Sequence, residues 1–348
     1  MIGMIEGLIQ FDQKIELFVL RVHKLEDHSS TFPIMMPKSR LMFWQKNSFE
    51  GNSLKWNDLP SIRFLMHNIR KFDKNFVVVR VERSLFSLVI LLIAMIKFKK
   101  EIILYNQRPI PEKSFTLRVI QKMMFILLKW RWITPVIQSR NENSSSPYSK
   151  WIPFTTKDGR IFEGKYEVMN KVEIITIGKL QKRKNLNLVV EVFQSLPNYS
   201  FQLTLIVENT TPEHNKAKIE LIEKIRFNTN IEIIQNLTNQ EVLNKLSKSH
   251  IFILLSDMEP ASISNLEAMA FGNLVVIGED NGTANYLDNG KGGFIVSYDK
   301  SEIIEKMRFV LENRFLIEKM GHHNIRQVEK HFNPNKVSKI LIEFINGG

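Results

Sequence analysis

From Val172 onward one pattern repeats: a short run rich in Val, Ile and Leu, a polar turn, then an amphipathic stretch of helical period. Strands are expected at Glu173–Ile177, Gln202–Val207, Ile231–Ile234, Ile251–Leu255, Leu274–Ile277 and Gly293–Val296. Helices are expected between them at Asn185–Ser195, Lys216–Ile225, Gln240–Lys248 and Asn265–Phe271, with a last one at Ser301–Glu312. Strands alternating with helices at this spacing make a doubly wound α/β domain with a parallel sheet.

At 348 residues the chain is too long for one ordinary hydrophobic core and suits two domains. The first half carries a βαβ pattern of its own: strand Asn75–Arg80, helix Ser84–Phe98, strand Glu101–Tyr105, with a further helix over Ser114–Trp132. Asn141–Pro147 is a loop, and Trp151-Ile152-Pro153 is read as the link. The expected organisation is a basic first domain over 1–150, a second over 151–334, and an amphipathic helix within 335–348 that closes against one or both.

Charge separates the two halves. Residues 1–150 hold 24 Lys and Arg against 12 Asp and Glu, an excess equal to the whole net charge of +12, whereas 151–348 balance at 24 against 24. A one-sided basic field suits an anionic partner such as a phospholipid surface, a pyrophosphate-bearing acceptor or nucleic acid. No nucleic-acid motif accompanies it, so a nucleic-acid partner is not expected. Cysteine is absent, which excludes disulfides and thiolate metal sites. The first residues lack the pattern of a secretion signal, and no uncharged apolar stretch reaches about 18 residues. A cytoplasmic enzyme, peripheral to the inner face of a membrane, is the expectation.

The chemistry is concentrated in Ser256–Val276, SDMEPASISNLEAMAFGNLVV. A strand ends at Leu255, a loop carries Asp257 and Glu259, and a short helix begins near Ser264 and stops at Gly272. Open α/β sheets bind ligands at such strand ends, and the free N–H groups around Ser262, Ile263 and Ser264 suit a pyrophosphate. Ser264-x-x-Glu267 also reads as a capping box, which only starts a helix. Capping leaves Glu259, eight positions earlier, without a role.

Glu259 to Glu267 with the trailing Ala-Met-Ala-Phe-Gly resembles the E-x7-E motif of retaining family-4 glycosyltransferases. Gly178-Lys179-Leu180 followed by Lys184-Asn185 is similar to that family's basic turn, with Lys179 in the place of an Arg. The resemblance covers roughly Val172–Val328. It implies a GT-B fold, two Rossmann-like doubly wound domains facing a cleft, and a nucleotide-diphosphate sugar as donor substrate. It implies that Glu259 lies by the donor sugar and Glu267 on the ribose. The diphosphate would lie on the amides of Ser262, Ile263 and Ser264 and be neutralised by Lys179 and Lys184. The structural alternative for the turn is a solvated basic loop, since Lys182 and Arg183 adjoin it. No metal or other cofactor is expected: the eight histidines show no ligand spacing, and the resemblance requires none.

The sequence departs from that family in places. Asn285 replaces a Glu in Asn281-Gly-Thr-Ala-Asn-Tyr-Leu, Glu208-Asn209-Thr210 replaces a Gly-Asp-Gly, and Asp288–Val296 is similar to a glycine-turn hairpin. No Gly-Gly loop is found near Gly3 and Gly7, so the expectation is either that the chain starts late or that the first domain is trimmed. Asn106, with Arg108, falls where the family places an acceptor-side His; Asn can hydrogen-bond a sugar but not act as acid or base. On the helix read over 114–132, Arg118, Lys122 and Lys129 fall within about 40° of one another, flanked by Trp130 and Trp132. That suits an anionic membrane surface, or else a core helix with a snorkelling basic edge. The expected function is transfer of a sugar, with retention, to a glycan or lipid-linked acceptor in bacterial surface polysaccharide synthesis. The alternative is a catalytically weak glycosyltransferase-like subunit that binds and supports an active partner.

Overall fold

A computed structural model of the chain describes residues 19–20, 34–35, 76–80, 101–105, 115–135, 147–156, 164–167, 170–197, 199–208, 212–259 and 261–345. The helix expected at Ser84–Phe98, the Gly3/Gly7 segment, Asn106 and Arg108 lie outside the described residues. The described residues form two compact units. One holds those up to Pro135, 147–153 and those from Val337 on; the other holds those of Phe154–Lys336.

In the first unit β1 (Val19–Leu20) and β2 (Ile34–Met35) form a short parallel pair. Strands β3 (Phe76–Arg80), β4 (Glu101–Tyr105), β5 (Arg131–Thr134) and β6 (Ser149–Trp151) make a four-stranded parallel sheet in that order. Helix α1 (Phe115–Leu128) connects β4 to β5. It is shorter than the helix read to Trp132. Lys129 takes a left-handed φ of +56°, which an L-residue rarely sustains inside a helix. The following Arg-Trp-Ile-Thr then enters the sheet, where aromatic and β-branched residues pack well. Trp132 is buried against Ile102 and Leu104, and Lys129, Trp130 and Trp132 all lie beyond the helix, which keeps only Arg118 and Lys122 of the basic residues read there. Trp151, read as part of a link, closes β6 and donates its indole N–H to the Pro135 carbonyl at 3.1 Å.

In the second unit the elements run β7 (Val172–Lys179), α2 (Leu186–Gln194), β8 (Phe201–Glu208), α3 (Pro212–Ile225), β9 (Ile231–Gln235) and α4 (Asn239–Lys248). They continue with β10 (Ile251–Leu254), α5 (Ile263–Ala270), β11 (Leu274–Gly278), β12 (Gly293–Val296), α6 (Lys300–Glu312) and α7 (Phe315–Gln327). The six strands are all parallel, in the order β12-β11-β10-β7-β8-β9. The order reverses direction between β7 and β10, which opens a crevice at their carboxyl ends. Strand β12 pairs parallel to β11, so Asp288–Val296 is not a hairpin but a tight turn into a parallel edge strand. Gly293 is required there: its φ is +148°, and a Cβ would overlap the Val275 carbonyl.

Helix α7 was not expected from the sequence. It buries Ile317, Met320, Gly321 and Asn324, a helical stripe broken by a glycine and a polar residue. Asn324 donates from its amide to the carbonyls of Asn273 and Gly292, both at 2.7 Å, and so fastens α7 to the starts of β11 and β12. A final helix, α8 (Pro334–Ile345), puts Val337, Leu341 and Phe344 into the first unit's core with Ile103, Tyr105, Ile133 and Ile152.

At the far end of α5 from the crevice, Lys165 and Tyr166 bond the first two carbonyls beyond the helix. Lys165 Nζ donates to the Phe271 oxygen at 2.6 Å and the Tyr166 hydroxyl donates to the Gly272 oxygen. The site leaves the ammonium almost no water, and burial lowers the Lys165 pKa to about 7. Between that value and the ordinary 10.5 the unfolded chain binds a proton that the folded chain lacks, so stability rises with pH across this window. We expect the stability difference between wild type and Lys165→Met to shift in favour of wild type by up to about 1.4 kcal/mol per pH unit from pH 7 to 10. Urea denaturation at several pH values checks this; a flat difference would show that Lys165 keeps its ordinary pKa.

Candidate functional site

The crevice between β7 and β10 gathers two loops. The first follows β7. Gln181 N–H donates to Lys179 O at 2.7 Å and Lys184 N–H to Gln181 O at 2.9 Å, winding Lys182–Lys184 into one 3-10 turn. Asn185 ends that turn at φ +48°, a conformation Asn tolerates better than most residues, and α2 starts from it. The second loop follows β10, where Met258 at φ +47° turns the chain so that Glu259 points back.

Three contacts bind the loops together. Asn185 Nδ2 donates to Leu255 O at 2.9 Å, and Asp257 N–H donates to Arg183 O at 2.7 Å. The third is ionic. Arg183 Nη1 and Lys184 Nζ both lie 2.5 Å from Glu259 Oε2. The Lys184 and Glu259 side chains are nearly buried, at 12% and 11% exposure, whereas Arg183 keeps 40%. The Lys184 stem runs past Gly178, where a Cβ would come within 3.4 Å of it. One carboxylate against two cations leaves the cluster net positive.

Beside it begins α5. The capping box read at Ser264-x-x-Glu267 does not form. The N-cap is Ser262, whose hydroxyl accepts from Asn265 N–H at 3.3 Å, and Glu267 sits in the second helical turn. The boundary moves because a second loop supports Ser262: its N–H donates to Thr283 Oγ1 at 3.3 Å, and Thr283 Oγ1 also bonds Asn281 Oδ1 at 2.8 Å. Asn265 Nδ2 in turn donates to Thr283 O at 3.2 Å. The amides of Ile263 and Ser264, the next two of the helix, have no acceptor among the described residues. They carry the positive end of the helix dipole toward the crevice. Glu267 is half-buried with no hydrogen-bond or ion-pair partner among the described residues, and burial raises its pKa.

The structure thus brings Lys184 together with Glu259, and places Ser262, Ile263, Ser264 and Glu267 along one short helix. Lys179 is not in the cluster. Its Nζ pairs instead with Glu208 at 3.2 Å, where both side chains are more than two-fifths exposed. Arg183, read only as a neighbour of a basic loop, belongs to the cluster. Its signal in the sequence was its place directly before Lys184, in a run of three bases that also fits a solvated face. Among the described residues no three His, Asp or Glu side chains are grouped to hold a metal ion.

Residues 159–328 match the family model described as glycosyl transferases group 1. The chain carries a domain of that family. A probable sucrose-phosphate synthase of Thermosipho melanesiensis is 28% identical over 181 residues, covering 51% of this chain and 41% of that protein. The capsular polysaccharide biosynthesis glycosyltransferase CapM of Staphylococcus aureus is 21% identical over 195 residues, covering 56% and 51%. The chain therefore spans about half the length of these curated relatives. The crystal structure of Anabaena HepE in complex with UDP-glucose superposes with a TM-score of 0.71 at 11% identity, over 100% of this chain and 96% of that one. That likeness shows the fold, which is GT-B.

Removing the carboxylate would leave the nearly buried Lys184 beside Arg183 with no counter-charge. We expect Glu259→Gln to lower stability by roughly 2–4 kcal/mol, most of it through Lys184 because Arg183 is screened by solvent. Adding Lys184→Met should recover at least about 1 kcal/mol of that loss in a urea double-mutant cycle. Additive losses would mean that the pair is not coupled.

Proposed function

We propose that this chain is a retaining glycosyltransferase that takes a sugar from a nucleotide-diphosphate sugar and passes it to a glycan or lipid-linked acceptor. The observation that carries this reading is the joining of Lys184 and Glu259 beside the open amides of Ile263 and Ser264 at the switch point of the sheet. A departing nucleoside diphosphate needs fixed positive charge and free N–H donors, and this corner offers both. On this reading Glu259 meets the donor sugar that follows the diphosphate. Glu267 has an acceptor oxygen to offer ribose hydroxyls. The UDP-glucose bound to HepE supports the donor class. The capsular role of CapM supports a part in bacterial surface polysaccharide synthesis. No metal is invoked, since cationic side chains and amides face the diphosphate.

A thermal-shift panel of UDP-, GDP-, ADP- and CMP-sugars tests donor binding, since a ligand of the folded state raises the melting temperature by mass action. One nucleotide class should stabilise the wild type and fail to stabilise Lys184→Ala. Glu267→Gln should leave folding stability unchanged or higher, because it removes a half-buried carboxylate with no partner among the described residues. The same change should weaken donor binding about tenfold or more, through loss of a charge-assisted hydrogen bond. Donor hydrolysis or sugar transfer by the folded protein separates an enzyme from a supporting subunit. A folded chain inert with every donor would end the enzyme reading.

The acceptor side is read from the first unit. Helix α1 turns Ile120, Met123, Ile126 and Leu127 outward, Leu127 at 72% exposure, with Lys122 and Lys129 exposed nearby. An outward apolar face with lysines alongside suits the surface of an anionic bilayer. Peripheral attachment at the inner face of the cell membrane would hold the chain at the surface that carries a lipid-linked acceptor. Among the described residues no helix is long and apolar enough to cross a membrane. We expect co-sedimentation with phosphatidylglycerol-containing vesicles, weaker at high salt. Leu127→Glu should abolish it while leaving donor binding intact. Equal sedimentation of wild type and variant would remove α1 from the membrane contact.

A further inference from the structure

We propose that Arg183, and not Lys179, is the second cation that receives the donor's diphosphate alongside Lys184. This rests on the reading of the crevice as a nucleoside-diphosphate site.

Both side chains leave the same turn, but the fold sends them to different partners. Lys179 is the last residue of β7, and its ammonium lies on Glu208 of the neighbouring strand β8. A phosphate there would have to displace an exposed ion pair at the wrong strand. Arg183 is turned toward β10 by the 3-10 turn and held by its backbone: its carbonyl accepts from Asp257, two residues before Glu259. Its Nε also donates to Gln181 Oε1 at 3.2 Å. Arg183 is thus fixed to the very loop that carries the acidic residue of the site.

Arg183 and Lys184 converge on a single oxygen, Glu259 Oε2. This carboxylate stands where anionic oxygen is wanted. A diphosphate seated on the amides of Ile263 and Ser264 competes for the same two cations. When it takes them, Glu259 is released toward the sugar. A guanidinium offers a planar fork that can bind two phosphate oxygens at once, which an ammonium cannot. Arg183 thereby supplies, from four residues further along, the fork missing at position 179.

Isothermal titration of the full-length protein with UDP and with inorganic pyrophosphate tests this. Arg183→Ala should weaken both ligands about tenfold, and Arg183→Lys should recover only part of the loss because it restores charge without the fork. Lys179→Ala should stay within about twofold of wild type. Melting curves of each variant check folding, and Arg183→Lys answers the question if Arg183→Ala does not fold. A tenfold loss in Lys179→Ala with none in either Arg183 variant would overturn the proposal and leave the donor site standing, provided Lys184→Ala still loses affinity. If wild type binds neither ligand at millimolar concentration, the donor-site reading falls and this proposal with it.

Discussion

The site depends on one pairing, that of β7 with β10. Ile251 and Phe252 lie in register with Ile174 and Ile175, and all four side chains are buried. Each contributes about 1.5–3 kcal/mol by leaving water. These residues are 77 positions apart in the chain, yet their pairing sets the Lys184 turn and the Glu259 loop side by side at the carboxyl ends of the two central strands. Because strand order reverses here, no crossover helix fills the space above them. The crevice follows from topology, and the ion cluster from what the two loops carry into it.

The neighbourhood of that crevice is costly to hold. Ser256 Oγ, Asn265 Oδ1 and Asn281 Nδ2 are buried there without a hydrogen-bond partner among the described residues, and each such group costs on the order of 1–3 kcal/mol. Glu267 is half-buried with no counter-charge among the described residues. Glu259 and Lys184 are nearly desolvated. The strand core can offset these terms, and a corner with satisfied neighbours would have nothing to offer a ligand. Conflicts between local chemistry and folding stability concentrate where a protein binds.

Strand positions were largely legible because runs such as IFILL and LVVIG admit one placement in a parallel sheet. Helix ends were less so. The run from Ser114 to Trp132 has helical period throughout, and only the left-handed Lys129 reveals that Trp132 belongs to a strand. Helix α7 escaped because its buried stripe contains Gly321 and Asn324, which pattern reading counts as breakers; Gly321 is required because a Cβ there would overlap the Gly272 carbonyl, and Asn324 is buried because its amide meets the carbonyls of Asn273 and Gly292. The capping box at Ser264 was a sound local rule that lost to Thr283, a residue 21 positions beyond Ser262.

The sequence by itself determined the alternating order of the second unit and the place of the acidic loop after β10. These are properties of nearby residues and of periodicity, and local sterics and hydrophobic burial suffice to set them. Only the tertiary structure decided which bases meet which acids. Lys179 and Arg183 are four residues apart on one loop, and nothing in their spacing assigns one to Glu208 and the other to Glu259. The assignment comes from the turn closed by Asn185 and from the Asp257 amide that holds Arg183 O, contacts that exist only once β7 and β10 lie together.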